Sequence, residues 1–285
     1  MNTIRELLSF QFMVNAFRAG AIVAVLAGPV GWFMILRRQT FAGHTLAVVG
    51  FPGAAGAGLI GLPPSLGYFA FCTLAGSIIS GSPTTRSVLH RSDSSSLIGQ
   101  TQAQLLALGF LFVGLYRGNL NGLDALLFGN FLGISSWQVL VLLAVALGAG
   151  FVLVVIGRPL LFASVEPAVA LASGVNVAGL SAGFMLLLGI TVAEAAQITG
   201  ALLVFALLVV PPATAWRITS RPALGMAIAG GIGLVSAWLG LALAFYTNLP
   251  PGFWITSLAF AAYAASHVGA LAIPAARRRS SVATA

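Results

Sequence analysis

Few residues in this chain can bind a cation or carry a proton. Among 285 residues there are five acids and three histidines, so each one that falls within an apolar run is a candidate for chemistry. Those are His44, Glu194 and His267. Gln197 stands one turn after Glu194 on the same helical face, where the two could share a hydrogen bond or a ligand. A charge at the bilayer centre costs about 2.5–3.5 kcal/mol on insertion scales, so a rare ionisable group there marks a pathway or a ligand by default. Imidazole nitrogen suits zinc, copper, iron and nickel, whereas carboxylate oxygen suits manganese and magnesium. A structural reading stays open for each: His44 as an interfacial side chain bonded to backbone, Glu194 at the outer surface, His267 packed near the cytoplasmic end. His90, between Arg86 and Arg91 in a polar loop, reads as solvated.

Other chemistries are excluded by residue type. All 13 basic residues are arginine, so the phosphate-cradling loop that needs Gly-Lys-Ser/Thr cannot be built and ATP is not hydrolysed by that route. Cys72 is the sole cysteine, which leaves no disulfide framework and no thiolate metal site. There is no His-x-x-x-His, no paired carboxylate and no Ser-His-Asp grouping, and nothing argues for an enzyme.

The elements that position these residues are membrane spans. The chain is 59% hydrophobic and 6% charged, against roughly 25% charged in a soluble domain. No Asp, Glu, Lys or Arg occurs between Arg38 and Arg86 or between Arg221 and Arg277. Each gap accommodates two crossings at about 20 residues per crossing. Nine candidate helices follow: 14–36, 46–60, 62–80, 97–115, 137–156, 177–192, 195–216, 224–246 and 253–273, with the boundary between sixth and seventh placed near Ala193 and Glu194. Arg18 lies within the first run, but no soluble mature domain follows, so a signal peptide is not read here.

The formal net charge of +8 sits singly or in pairs between apolar runs, which makes it a topology signal and not a nucleic-acid surface. Placing Arg37 and Arg38, Arg86 and Arg91, Arg158, Arg217 and Arg221, and Arg277 to Arg279 inside the cell requires alternating crossings with the N-terminus outside. Arg5, Arg18 and Arg117 do not fit this threading; an interfacial helix over 2–12 accommodates the first. Of the loops, 82–96 is polar and reads as solvated, and 117–136 reads as a short amphipathic or re-entrant element. Segment 157–176 is half apolar, with Glu166-Pro167 at a helix start where acid and proline are favoured. The 34 glycines concentrate within spans, as in "GFPGAAGAG" and "GMAIAGGIG", and predict close helix packing.

Four motifs in order carry a family likeness. "LRRQTFAGHTLAVVGFPG" keeps the arginine pair, aromatic, glycine, leucine and Pro-Gly as Arg37, Arg38, Phe41, Gly43, Leu46, Pro52 and Gly53. "GLDALLFGNFLGISSWQ", "RPLLFASVEPAVALASGV" and "QITGALLVFALLVVPPATAWRITSR" followed by "YTNLPPG" are the others. With these the chain resembles, over most of its length, the membrane subunits of zinc- and manganese-uptake ABC importers. The resemblance implies an all-α, polytopic helical bundle of about eight or nine crossings, similar to type II ABC importer permeases, multi-pass in a bacterial cytoplasmic membrane. It implies a single permease domain over 1–285, with an interfacial helix at 1–13, a cytoplasmic coupling region at 157–176 and a cytoplasmic tail at 274–285.

The same resemblance implies a transported divalent metal and no cofactor bound by the chain itself. Its partners would be a cytoplasmic ABC ATPase gripping 162–174, an extracytoplasmic metal-binding protein, a second copy of the chain and the bilayer, with no nucleic acid. Phe162, Glu166, Pro167 and Gly174 would couple to the ATPase, with Glu166 capping the amides of the coupling helix. Candidates for the translocation path are His44, Gly43, Pro52, Glu194 and Gln197, with His44 the candidate metal ligand. The chain departs from the family at the ligands: the family's aspartate falls on His44, its histidine on Val48, and the acid before Leu-Pro-Pro-Gly on Asn248. Imidazole in place of carboxylate favours zinc over manganese. Two other readings remain, a permease for an iron chelate or another small solute, and a membrane scaffold that does not transport.

Overall fold

Long charge-free runs become helices because a backbone in lipid has no partner but itself. The computed structural model describes residues 7, 9–81, 91–116, 129, 131–200, 204–247 and 249–282. Among the described residues there are ten α-helices, one 3-10 turn at Phe131–Gly133, and no strand. The long helices are α1 (Gln11–Leu36), α2 (Thr40–Leu59), α3 (Pro64–Gly81), α4 (Arg91–Leu115), α5 (Ser136–Val165), α7 (Val177–Thr199), α8 (Val204–Ile218), α9 (Pro222–Thr247) and α10 (Pro251–Val282), and the short α6 spans Pro167–Ala172. The nine long ones correspond one to one with the nine expected spans. By length and composition α1, α5, α7 and α9 suffice to cross a membrane, and shorter apolar stretches occupy Pro64–Ser80, Gln102–Leu115 and Ala206–Ile218.

Helix ends follow local residue chemistry. Proline opens α3, α6, α9 and α10, where its missing N–H goes unneeded and its fixed φ suits the first turn. A capping box joins Ser135 and Gln138 at the start of α5, and the Asn176 side chain accepts from Gly179 N–H at 2.8 Å to start α7. Three helices end in the same left-handed turn. After α2 and α6 that turn uses Gly61 (φ 78°) and Gly174 (φ 80°), whereas after α1 it uses Arg38 (φ 56°). In the last case Arg38 N–H donates to Ile35 O and Gln39 N–H to Met34 O, both at 2.9 Å.

Several bounds differ from those expected, and each difference has one cause: polarity ends an apolar run before it ends a helix. Helix α1 takes in Gln11 and Phe12, α2 begins six residues before Leu46, and α4 begins at Arg91 within the segment read as a solvated loop. Helix α5 reaches Val165, about 45 Å at 1.5 Å per residue, and so extends well beyond a 30 Å hydrocarbon core into the segment read as coupling region. Helix α10 continues through the expected tail to Val282. The break between sixth and seventh spans falls at Gly200 (φ 76°), not at Ala193 and Glu194. Residues 1–6, 82–90, 117–128 and Asn248 lie outside the described residues.

Glycine seams hold the bundle. Gly28 meets Gly230 and Gly225 meets Trp32 where α1 crosses α9; Gly53 meets Gly67 where α2 crosses α3; Gly76 meets Met185 and Gly189 meets Cys72 where α3 crosses α7. Numbering runs in opposite senses along each pair, so each pair is antiparallel. A Cβ on Gly53 would stand 2.5 Å from the Gly67 carbonyl oxygen, a distance no side chain tolerates. The second half of helix α7 is enclosed, with nearly every residue from Phe184 to Gly200 buried against α1, α2, α3 and α5. By contrast, Phe151, Val154 and Val155 of α5 are more than half exposed, a face made for acyl chains.

Candidate functional site

Helix α2 carries three of the candidate path residues. Gly43 is buried beneath Met34, Pro52 is buried within the helix, and His44 is half-buried with Val48 one turn further along the same face. Beside His44, Thr45 donates to Phe41 O at 2.9 Å and accepts from Gln102 Nε2 of α4 at 2.7 Å, which fixes the rotation of α2 against α4. The remaining two path candidates lie on α7. Glu194 is fully buried and neither carboxylate oxygen meets a hydrogen-bond donor among the described residues. Gln197 turns its amide onto its own helix, donating to Ala193 O at 3.2 Å, so the two side chains do not share a hydrogen bond. The span break expected near Glu194 is thereby corrected: Glu194 sits inside α7, six residues before Gly200, because the apolar enclosure continues past it.

One layer of contacts relates the two helices. Cys72 Sγ donates to Leu46 O at 3.3 Å, and the Cys72 carbonyl lies against Gly189. His44 stands two residues from this layer toward the arginine-rich end, and Glu194 five residues from it toward the other. At 1.5 Å per residue they differ in depth by about 10 Å. One ion cannot be held by both in this conformation. Among the described residues no three His, Cys, Asp or Glu side chains gather as a metal site. His267 packs edge-on against Tyr263, with ring centroids 4.7 Å apart, in keeping with the packed reading.

The arginine-rich end presents the second part of the site. Glu166 precedes Pro167 at the start of α6 as expected, but its side chain makes no capping bond and is exposed. The role of amide cap is thus not the one it has here. Pro167 is exposed at the first position of α6, and Gly174 supplies the left-handed turn that ends it. Phe162, Val165, Val169 and Leu171 are all exposed around α6, which leaves an apolar surface beside the free carboxylate.

Sequence reading missed the residue that ties this end together. Arg37 Nη1 donates to Ser164 Oγ of α5 at 2.9 Å, Nη2 donates to Ser181 Oγ of α7 at 2.6 Å, and Nε donates to Gln39 Oε1 at 3.4 Å. Its guanidinium carbon also lies 5.6 Å from the centre of the Phe184 ring. Burial draws the pKa of Arg37 below its ordinary value, yet an arginine keeps its charge at physiological pH. The arginine pair was visible as a topology signal, but nothing local announces serines 127 and 144 residues away.

Known proteins share this fold. The family model described as "ABC 3 transport family" matches residues 9–270. The manganese transport system membrane protein MntC of Halalkalibacterium halodurans is 30% identical over 264 residues, 91% of this chain and 87% of that protein. The chelated iron transport system membrane protein YfeC of Yersinia pestis is 29% identical over 250 residues, 88% and 83% of the two chains. Among solved structures, PsaBC from Streptococcus pneumoniae in complex with Fab superposes with a TM-score of 0.83 at 28% identity, covering 93% of this chain and 94% of that one. A match across nearly the whole helical bundle, on a chain with the composition of a multi-pass membrane protein, places it: the chain belongs to the ABC 3 transport family, as a multi-pass permease.

Proposed function

We propose that the chain is the membrane permease of an ABC importer that moves a divalent metal ion into the cell. The observation that carries this is the family match over residues 9–270, joined to an exposed apolar surface around α6 at the arginine-rich end. The reading is also supported by relatives named for manganese transport. Because the chain lacks lysine and hence a phosphate loop, the power source is a separate ATPase docking on Phe162, Glu166, Pro167 and Gly174. Two copies would enclose the path by symmetry, and an extracytoplasmic protein would deliver the ion. ATP binding would draw the two ATPases together, tilt α6 and change which side of the bundle is open.

His44 is the ligand we assign to the path, with Gly43 and Pro52 shaping α2 around it and Glu194 and Gln197 further along. Imidazole where the family has aspartate shifts preference from manganese toward zinc. A second cargo, chelated iron, is favoured by the name of one relative. The test is metal-stimulated ATP hydrolysis and isotope uptake by the reconstituted complex, with zinc, manganese and iron in competition. Stimulation by zinc or manganese supports the reading, and preferential uptake of an iron chelate replaces it. An unchanged metal response in His44→Ala removes His44 from the path.

A further inference from the structure

We infer that Arg37 is a positioning residue for energy coupling: it latches the helices on either side of α6 to the α1–α2 junction, so that displacement of α6 is passed to the helix carrying His44. The inference rests on the reading of the chain as an ATP-driven permease. Its basis is geometric. Ser164 is the last residue but one of α5 and Ser181 the fifth residue of α7, so the two prongs of one guanidinium grip both flanks of the α6 element.

Each serine is pre-set for the grip. Ser164 donates its hydroxyl hydrogen to Leu160 O and Ser181 donates to Val177 O, which turns a lone pair of each oxygen toward the arginine. On the other side the joint is short. Arg37 caps α1, Arg38 makes the left-handed turn, and α2 starts at Thr40, so there is little slack between the guanidinium and α2. The three acceptors Arg37 reaches are uncharged. Such bonds are directional enough to transmit a displacement, and they part without stranding a buried carboxylate, which suits a joint that must re-form in each cycle. A lysine would supply the charge but not the planar fork.

The experiment counts manganese ions, supplied as the radioactive chloride, taken up per ATP hydrolysed by the complete complex in proteoliposomes. Arg37→Gln, and separately Ser164→Ala with Ser181→Ala, should each lower that ratio about ten-fold while hydrolysis continues. Combining all three should lower it no further, because one joint has been cut either way. Arg37→Lys should recover only part of the ratio. The latch is overturned by an unchanged ratio in the serine variant, by uptake and hydrolysis falling in parallel, or by full recovery with lysine. Absence of ATP-driven uptake in the native complex would instead defeat the functional reading. The latch then stands or falls on hydrogen exchange in the purified permease: Arg37→Gln should speed exchange of amides at 160–164 and 179–183 about ten-fold, and unchanged exchange overturns it.

Discussion

Trp32 and Trp216 stack face to face, with ring centroids 4.9 Å apart and planes 15° from parallel. The Trp216 indole N–H donates to Trp32 O at 3.3 Å, and Gly225 lies against the Trp32 ring at its Nε1 edge. Helices α1, α8 and α9 therefore meet on a single buried indole. Its own N–H has no acceptor among the described residues. Trp32→Ala should lower stability in detergent by about 3–5 kcal/mol through lost packing. Trp32→Phe, which keeps a ring and removes the unsatisfied donor, should cost about 1 kcal/mol or less. Thermal melting of the two variants checks the difference; equal losses would show that packing on the indole is not what joins these helices.

The α2–α3 seam makes a second prediction. Gly53→Ala drives a methyl into the Gly67 carbonyl, which is backbone and cannot rotate away, and against the root of the Phe71 side chain, whose Cβ is fixed by its own helix. The expected cost is about 1–3 kcal/mol, read as a lowered melting temperature. Gly58→Ala, in open space on the same helix, is the control and should be neutral or slightly stabilising.

Arg38 occupies a turn position that glycine fills after α2 and α6. A left-handed arginine costs about 1–2 kcal/mol, so Arg38→Gly should stabilise the bundle by about 1 kcal/mol, while Gly174→Ala should lose a similar amount. Chemical denaturation of the purified permease decides the sign of each.

Exposed Glu166 beside an exposed apolar surface predicts a separation of stability from activity. Glu166→Lys should leave insertion intact and melting within about 0.5 kcal/mol of the parent, since no capping bond is lost. Uptake coupled to ATP hydrolysis should be abolished. Normal uptake by this variant would remove α6 from the docking surface.

What could be read from residues alone was set by range. Charge-free stretches identified nine long helices, because crossing lipid is a local property of about 20 residues. Glu166-Pro167 marked the start of α6 for the same reason. The break before α8 was misplaced because Glu194 looked like a polar boundary, whereas α7 encloses it; Gly200, with its left-handed backbone, was the true stop. The coupling joint was illegible for the opposite reason. Arg37 finds its serines only once three helices are assembled, and a guanidinium facing hydroxyls leaves no trace in spacing.

The thiol of Cys72, shut between its own helix α3 and α2 and bonded to Leu46 O, leaves the native chain silent to maleimide reagents as long as the bundle stays closed. Engineered cysteines can then be installed singly without first removing a reactive background. The wild-type residue itself becomes a built-in clock: its labelling rate under turnover measures how often α2 and α3 part.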